Sequence, residues 1–75
     1  MSTKESFFFA VYHACRYGSA FSVEEAIQRE IELSADYREF YIALSDKQSD
    51  KFINKVFKQL KNDNYNTPKF GKNTQ

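Results

Sequence analysis

The sequence predicts a small all-α domain of three to four helices. Only two Gly and one Pro occur in 75 residues, so the frequent turns of a β-sandwich or barrel are missing. Apolar residues recur three and four positions apart along most of the chain, as they do on one face of a helix. Several Ser residues precede these segments, in the position of helix N-caps.

Serines mark the expected helix starts. Three of them are followed three positions later by Glu or Gln, which is the spacing of a capping box. These pairs are Ser2 with Glu5, Ser22 with Glu25 and Ser45 with Gln48, and Ser34 gives a fourth, weaker start. Gly18 can adopt the left-handed conformation that often ends a helix. The pattern therefore predicts helices over residues 3–17, 23–33, 35–44 and 46–60.

One boundary stays open, because the apolar stripe continues across Ser45. A separate fourth helix and one long helix of about 26 residues bury the same side chains.

The predicted inward residues are Phe8, Val11, Tyr12 and Cys15, widened by Phe7 and Phe9; Val23, Ala26, Ile27 and Ile31; Tyr37, Phe40, Tyr41 and Leu44; and Phe52, Ile53, Val56, Phe57 and Leu60. Residues 1–60 form the predicted helical domain. Residues 61–75, polar and broken by Pro68, form a predicted flexible tail in which Tyr65 and Phe70 are the only anchors.

No residue pattern indicates catalysis, a metal or a cofactor. Cys15 is the only cysteine, so no internal disulfide forms, and one Cys with one His cannot make a structural zinc site. His13 and Cys15 are two positions apart on a helix and point in different directions. A Gly-rich phosphate loop and paired catalytic carboxylates are also missing. We expect a non-enzymatic protein without a small-molecule substrate, in which Cys15 is a buried core thiol.

The apolar run that follows Lys4 is too short for a signal peptide or a membrane span. The expected location is therefore the cytoplasm, with no membrane partner. A chain of this size buries only about 60% of the surface that its unfolded form exposes. With no disulfide or metal to add stability, a macromolecular partner is the expected source of it.

Charge is divided along the chain. Residues 1–45 carry four basic and seven acidic residues, a net charge of −3, and residues 46–75 carry seven Lys and three Asp, a net charge of +4. Such a bipolar chain suits docking between acidic and basic surfaces better than wholesale binding of phosphates.

Two charged sets are candidates for binding. The lysine stripe consists of Lys47, Lys51, Lys55 and Lys58, whose spacing places them on one helix face. The stripe can meet phosphates or an acidic surface, although a solvated helix face has the same composition. The acidic cluster consists of Glu24, Glu25, Glu30, Glu32, Asp36 and Glu39. The helix dipole alone explains Glu24 and Glu25, but not Glu30 or Glu32.

Between residues 22 and 57 the sequence contains Phe40-Tyr41-Ile42-Ala43 and Asn54-Lys55-Val56-Phe57, preceded by Glu32-Leu33-Ser34 and by Val23-Glu24 with Ile27. These segments resemble the Hha/YmoA family, small enterobacterial proteins that modulate the nucleoid protein H-NS. The third helical region of that family has Phe-Tyr, any residue and Ala, followed at the same spacing by Asn-Lys, an aliphatic and an aromatic residue.

The resemblance implies a transcriptional co-regulator at the nucleoid. Proteins of that family bind the N-terminal dimerisation domain of H-NS-like proteins and strengthen gene silencing. An acidic residue early in their second helix and an Asp in their third region receive basic side chains of H-NS. The first position corresponds to Glu24, followed by Glu25, and the second corresponds to Ser45, followed by Asp46. DNA is then contacted indirectly, or weakly through the lysine stripe.

Two other functions remain open. A short, charge-polarised single domain is also typical of phage or mobile-element inhibitors, such as anti-restriction or anti-CRISPR proteins, which bind a host enzyme. Direct DNA binding by a helix-turn-helix is less favoured, because the net charge is only +1 and no helix combines Arg, Asn and Gln as a recognition helix does.

Overall fold

The structure, a computed structural model, describes residues 2–18 and 20–63. Four helices occur in these residues: α1 (Thr3–Arg16), α2 (Val23–Leu33), α3 (Ala35–Ile42) and α4 (Asp46–Asn62). No strand is present in this part of the chain. The all-α prediction is confirmed, and none of the four helices is long and apolar enough to cross a membrane.

Each helix begins at a serine predicted to cap it. The side-chain oxygens of Ser2, Ser22, Ser34 and Ser45 each accept a hydrogen bond from the backbone N–H three residues later. The capping box is complete at Ser2 and Ser45. At Ser22 the predicted return bond is wrong, because the Glu25 carboxylate accepts from the N–H of Phe21, at 2.7 Å, instead of that of Ser22.

Ser45 separates α3 from α4 and thereby settles the open boundary. α3 ends at Ile42, two residues earlier than predicted, and Ser45 has extended backbone angles of φ −73° and ψ 167°. An extended residue cannot continue a helix, and its hydroxyl accepts the orphaned N–H of Gln48. The local capping chemistry therefore interrupts the continuous apolar stripe.

Two helix ends differ from the prediction. α1 ends at Arg16, and the φ angle of Gly18 lies outside the left-handed region. Gly is required there for space instead, since a Cβ on Gly18 would lie 2.7 Å from the carbonyl oxygen of Ala14. α4 continues through Lys61 and Asn62, so the helix extends beyond the predicted end at residue 60. Residues 64–75, including Tyr65, Phe70 and most of the predicted tail, lie outside the described residues.

The core forms around α1 and α2, each of which contacts the other three helices. The buried apolar side chains are Phe7, Val11, Cys15, Ala20, Val23, Ala26, Ile27, Phe52, Ile53, Val56 and Leu60. At the centre of the aromatic part, Phe7 stacks on Tyr37 and on Phe52 with ring centroids 5.0 Å apart in both pairs. The edges of Phe40 and Tyr41 complete the cluster at 5.9 Å.

The predicted inward faces are largely confirmed, with two corrections. In α1 it is Phe7 that is fully buried, whereas Phe8 is half-buried and Phe9 is 50% exposed. No residue of α3 is fully buried. Its aromatic side chains instead lie half-buried over the core and cover Phe7 from outside.

α1 and α4 run in the same direction. Phe7, near the start of α1, stacks on Phe52, and Tyr12, farther along α1, bonds to Asp63, the C-cap of α4. The start of α4 therefore lies near the N-terminal end of α1, and the end of α4 lies near the C-terminal half of α1. This relation fixes where the charged side chains of α4 lie relative to those of α1 and α2.

Candidate functional site

Of the four residues predicted to bind a protein partner, Glu25 and Ser45 stabilise helix starts through hydrogen bonds, and only Glu25 is half-buried. Glu25 is half-buried; its Oε1 accepts from the backbone N–H of Phe21 and its Oε2 lies 3.0 Å from Nη2 of Arg29. The Ser45 hydroxyl accepts the N–H of Gln48 at 3.1 Å. A partner that engaged either group would have to replace these intramolecular bonds.

The other two members of the predicted set, Glu24 and Asp46, are exposed carboxylates. Both lie in the first turn of a helix, where the helix dipole favours a carboxylate. Neither carboxylate has a hydrogen bond or an ion pair within residues 2–18 and 20–63. Each is therefore available to a basic side chain of a partner.

The contacts place Glu24 and Asp46 at opposite ends of α1. The Glu24 carboxylate is close enough to Cys15, near the C-terminus of α1, to add to the rise in the pKa of that thiol. Asp46 begins α4, six residues before Phe52, which stacks on Phe7 near the N-terminus of α1. At 1.5 Å per helical residue the two positions are up to about 20 Å apart along α1. The fold therefore does not form one compact acidic patch from them.

All four residues of the lysine stripe are exposed. Three of them line grooves between α4 and its neighbours, whereas Lys47 does not line either groove. Lys4 of α1 joins them, because the start of α1 lies against the middle of α4. The spacing of residues within α4 does not predict that Lys4 belongs to this surface. Only the packing of α1 on α4 brings its ammonium group to the stripe.

Two adjoining grooves form a continuous surface at this place. The first has a volume of about 500 Å³ between the start of α1 and the second half of α4, and the second, of about 610 Å³, lies between α3 and α4. They share Lys4, Phe52 and Lys55. We call the combined surface the basic groove; its rim is Lys4, Lys51, Lys55 and Lys58, and its floor is Phe8, Phe9, Phe40, Leu44 and Phe52.

Cys15 has neither the exposure nor the ionisation of a reactive thiol. Its side chain is fully buried, as predicted, and burial raises its pKa to about 12, with a smaller contribution from Glu24. His13 is exposed, and its ring contacts Tyr17 at 5.0 Å between centroids. A thiol that is buried and protonated at neutral pH is a poor nucleophile.

A polar network joins the ends of α1 and α4. The Tyr12 hydroxyl donates to Oδ2 of Asp63, and Arg16 Nη1 lies 2.9 Å from the Tyr12 hydroxyl and 3.3 Å from Asp63. Burial raises the pKa of Tyr12, and the hydrogen bond to Asp63 raises it further. The bond from Tyr12 lowers the pKa of Asp63, with help from Gln59 and Arg16. These shifts follow from a structural contact between two helix ends.

No group of three or more His, Cys, Asp or Glu side chains in the described part of the chain is arranged to hold a metal ion. Comparisons with protein-family models, with curated proteins and with solved structures find no match to the chain.

Proposed function

We propose that this chain is a non-enzymatic transcriptional co-regulator that binds the N-terminal dimerisation domain of an H-NS-like protein. The observation that carries the proposal is the exposed carboxylate of Glu24 in the first turn of α2, which has no ion pair among the described residues. Glu24 occupies the position at which the Hha/YmoA proteins, which the sequence resembles, use an acidic residue to bind H-NS. The four-helix arrangement supports the proposal by holding that carboxylate on a regular helix.

The partner contact rests on Glu24 and Asp46, with Glu25 and Ser45 in supporting roles. Glu25 orients the entry to α2, and Ser45 caps the helix that carries Asp46. Two carboxylates up to about 20 Å apart suit a dimeric partner, which presents each of its basic side chains twice.

In this proposal DNA is reached through the partner, at the nucleoid in the cytoplasm. The exposed lysine stripe adds positive charge to the complex, and the chain alone, with a net charge of +1, binds DNA weakly. Neutralising phosphates releases their counterions, so the contribution of the stripe should fall as the salt concentration rises.

An NMR titration of the labelled full chain with the dimerisation domain of H-NS tests the proposal. We expect shifts centred on Glu24 and Asp46, and a loss of affinity of about tenfold or more in Glu24→Lys and in Asp46→Lys. Asp50→Lys makes the same charge change on an exposed residue of α4 and is the matched control. Equal affinity of both variants and the native chain would remove the electrostatic contact, and an unperturbed spectrum would remove the partner.

A second candidate function is a small phage or mobile-element inhibitor that sequesters a host enzyme. The division of charge along the chain, a net −3 over residues 1–45 and +4 over residues 46–75, favours it, because charge-polarised single domains are typical of such inhibitors. A pull-down with the full chain would then recover a host enzyme such as a nuclease, and H-NS would be absent from the bound fraction.

A further inference from the structure

We infer that the basic groove binds an acidic, amphipathic helical segment of a partner protein. The groove is on the surface formed by α1, α3 and α4, and it includes neither Glu24 nor Asp46. The inference therefore does not rest on the proposed binding of an H-NS-like protein. It assigns a second partner site to the molecule, with its own chemistry.

Four lysines carry the positive charge of the rim of the basic groove. Lys4, Lys51, Lys55 and Lys58 form no salt bridge among the described residues. Among the described residues that line the groove, the one carboxylate belongs to Glu5, and its Oε1 accepts the N–H of Ser2 at 3.2 Å. Four ammonium groups around one depression raise the local concentration of anionic segments and favour carboxylates at its edge.

The floor of the groove is apolar and partly open to solvent. Phe9 is 50% exposed, and Phe8, Phe40 and Leu44 are half-buried. Phe8 contacts Phe9 edge to face at 5.7 Å between centroids, so the two rings form one apolar surface. Covering it removes apolar area from water, which a purely ionic ligand cannot do. The occupant therefore needs apolar side chains as well as carboxylates.

The dimensions of the rim fit a short helix. Lys51 and Lys58 are seven residues apart on α4, about 10.5 Å or two helical turns. Apolar residues at positions i, i+3, i+4 and i+7 of a partner helix cover the same length on one face. Glu or Asp residues beside that face would meet the lysines, as in other complexes in which an amphipathic helix occupies a groove.

The observations favour a peptide over single-stranded nucleic acid. Binding of bases requires aromatic faces on which they can stack. Phe52 is only 5% exposed and its ring is stacked on Phe7, and Phe8 meets the rings of both Phe9 and Phe52 edge to face. Asp46 and Asp50 each precede a lysine of the stripe and lower its positive potential.

A synthetic peptide of about four helical turns provides the test. It carries Leu at i, i+3 and i+7, one Trp at i+4, and Glu at the flanking positions. Because the chain contains no Trp, the fluorescence of the peptide reports binding without interference. A shuffled peptide of the same composition, and a peptide with Lys in place of Glu, are the ligand controls.

We expect the acidic amphipathic peptide to bind with micromolar affinity and the two control peptides to bind at least about tenfold more weakly. Lys55→Glu should weaken binding about tenfold or more. Lys61→Glu makes the same charge change on α4, outside both grooves, and should have little effect. Circular dichroism checks that both variants are folded, and Phe9→Ser tests the floor without reversing a charge.

Four results would overturn the inference. Equal binding of the shuffled peptide would reduce the site to nonspecific attraction, and equal effects of Lys55→Glu and Lys61→Glu would place binding elsewhere. Tighter binding of an oligothymidylate that displaces the peptide would make the groove a nucleic-acid site. A dimer of the free chain that Lys55→Glu dissociates would make the occupant a second copy. Glu24→Lys should leave peptide binding unchanged, which separates this inference from the proposed function.

Discussion

The Tyr12 hydroxyl donates a hydrogen bond to the Asp63 carboxylate and so joins the middle of α1 to the C-cap of α4. Arg16 contacts both groups, one helical turn beyond Tyr12. The three side chains are partly exposed, yet they connect residues 51 positions apart in the chain. The contact fixes the end of the last described helix against the first.

This network should make stability sensitive to acid. The pKa of Asp63 is lowered in the folded chain, mainly by the bond from Tyr12, so the carboxylate stabilises the fold at pH values above its ordinary pKa near 3.8. That stabilisation is lost as the pH falls through the lowered value in the folded chain. Asp63→Asn should therefore lower the urea midpoint at neutral pH and reduce its change between about pH 7 and pH 3.

Asp50→Asn is the control for that experiment, because Asp50 is exposed on α4 and has no ion pair among the described residues. It should retain the pH dependence of the native chain. If Asp63→Asn retained that dependence as well, the contact with Tyr12 would contribute nothing to acid stability.

Phe7 should be among the side chains on which stability depends most. It is fully buried and contacts rings from both α3 and α4. Phe7→Ala should cost about 3–5 kcal/mol, a large share of the total for a domain of this size. Phe9→Ala removes a half-exposed ring two residues away and should cost less than about 1 kcal/mol. Urea denaturation followed by circular dichroism measures both, and similar costs would contradict the burial of the two rings.

Cys15 should be unreactive in the folded chain. Burial raises the pKa of its thiol to about 12, so almost no thiolate exists near pH 8, and the side chain is inaccessible to reagents. In the folded chain, reaction with a disulfide reagent should therefore proceed only when the structure opens. In concentrated urea, Cys15 should react at the rate of a free thiol. Rapid reaction under native conditions would contradict the packing of α1 against the rest of the core.

Ser45 should contribute to stability through its cap alone. Ser45→Ala removes the acceptor for the N–H of Gln48 and should cost about 1 kcal/mol. Amide exchange at the start of α4 should rise at the same time. Ser49→Ala, four residues later, is the control. The hydroxyl of Ser49 donates to the carbonyl oxygen of Asp46 within the helix, so its loss should change stability little. Equal losses in the two variants would contradict the assignment of the cap.

The helix starts were predictable because capping is local chemistry. A Ser and the residue three positions later decide whether an N–H is satisfied, and no distant contact is needed. The register of α1 was not predictable in the same way. Phe7, Phe8 and Phe9 follow one another, and both Phe7 and Phe8 lie on a common helix face with Val11. Only the rings of α3 and α4, which surround Phe7, select it as the buried member.

The lysine stripe was visible in the sequence because its members lie on one helix. The basic groove was not, since its rim includes Lys4 and its floor includes Phe8 and Phe9, all distant in sequence from α4. The separation of Glu24 from Asp46 depends likewise on how α1 lies against α4. Both features follow from long-range packing, which periodicity within one helix does not encode.

The central position of α1 makes the chain suited to division into two pieces. α1 supplies Phe7, Val11 and Cys15 to a core whose other side comes from α2 and α4. A chain cut between Gly18 and Ala20 separates these two halves, and neither half can bury its apolar face alone. When mixed, the α1 peptide and the larger fragment should reassemble into the native fold.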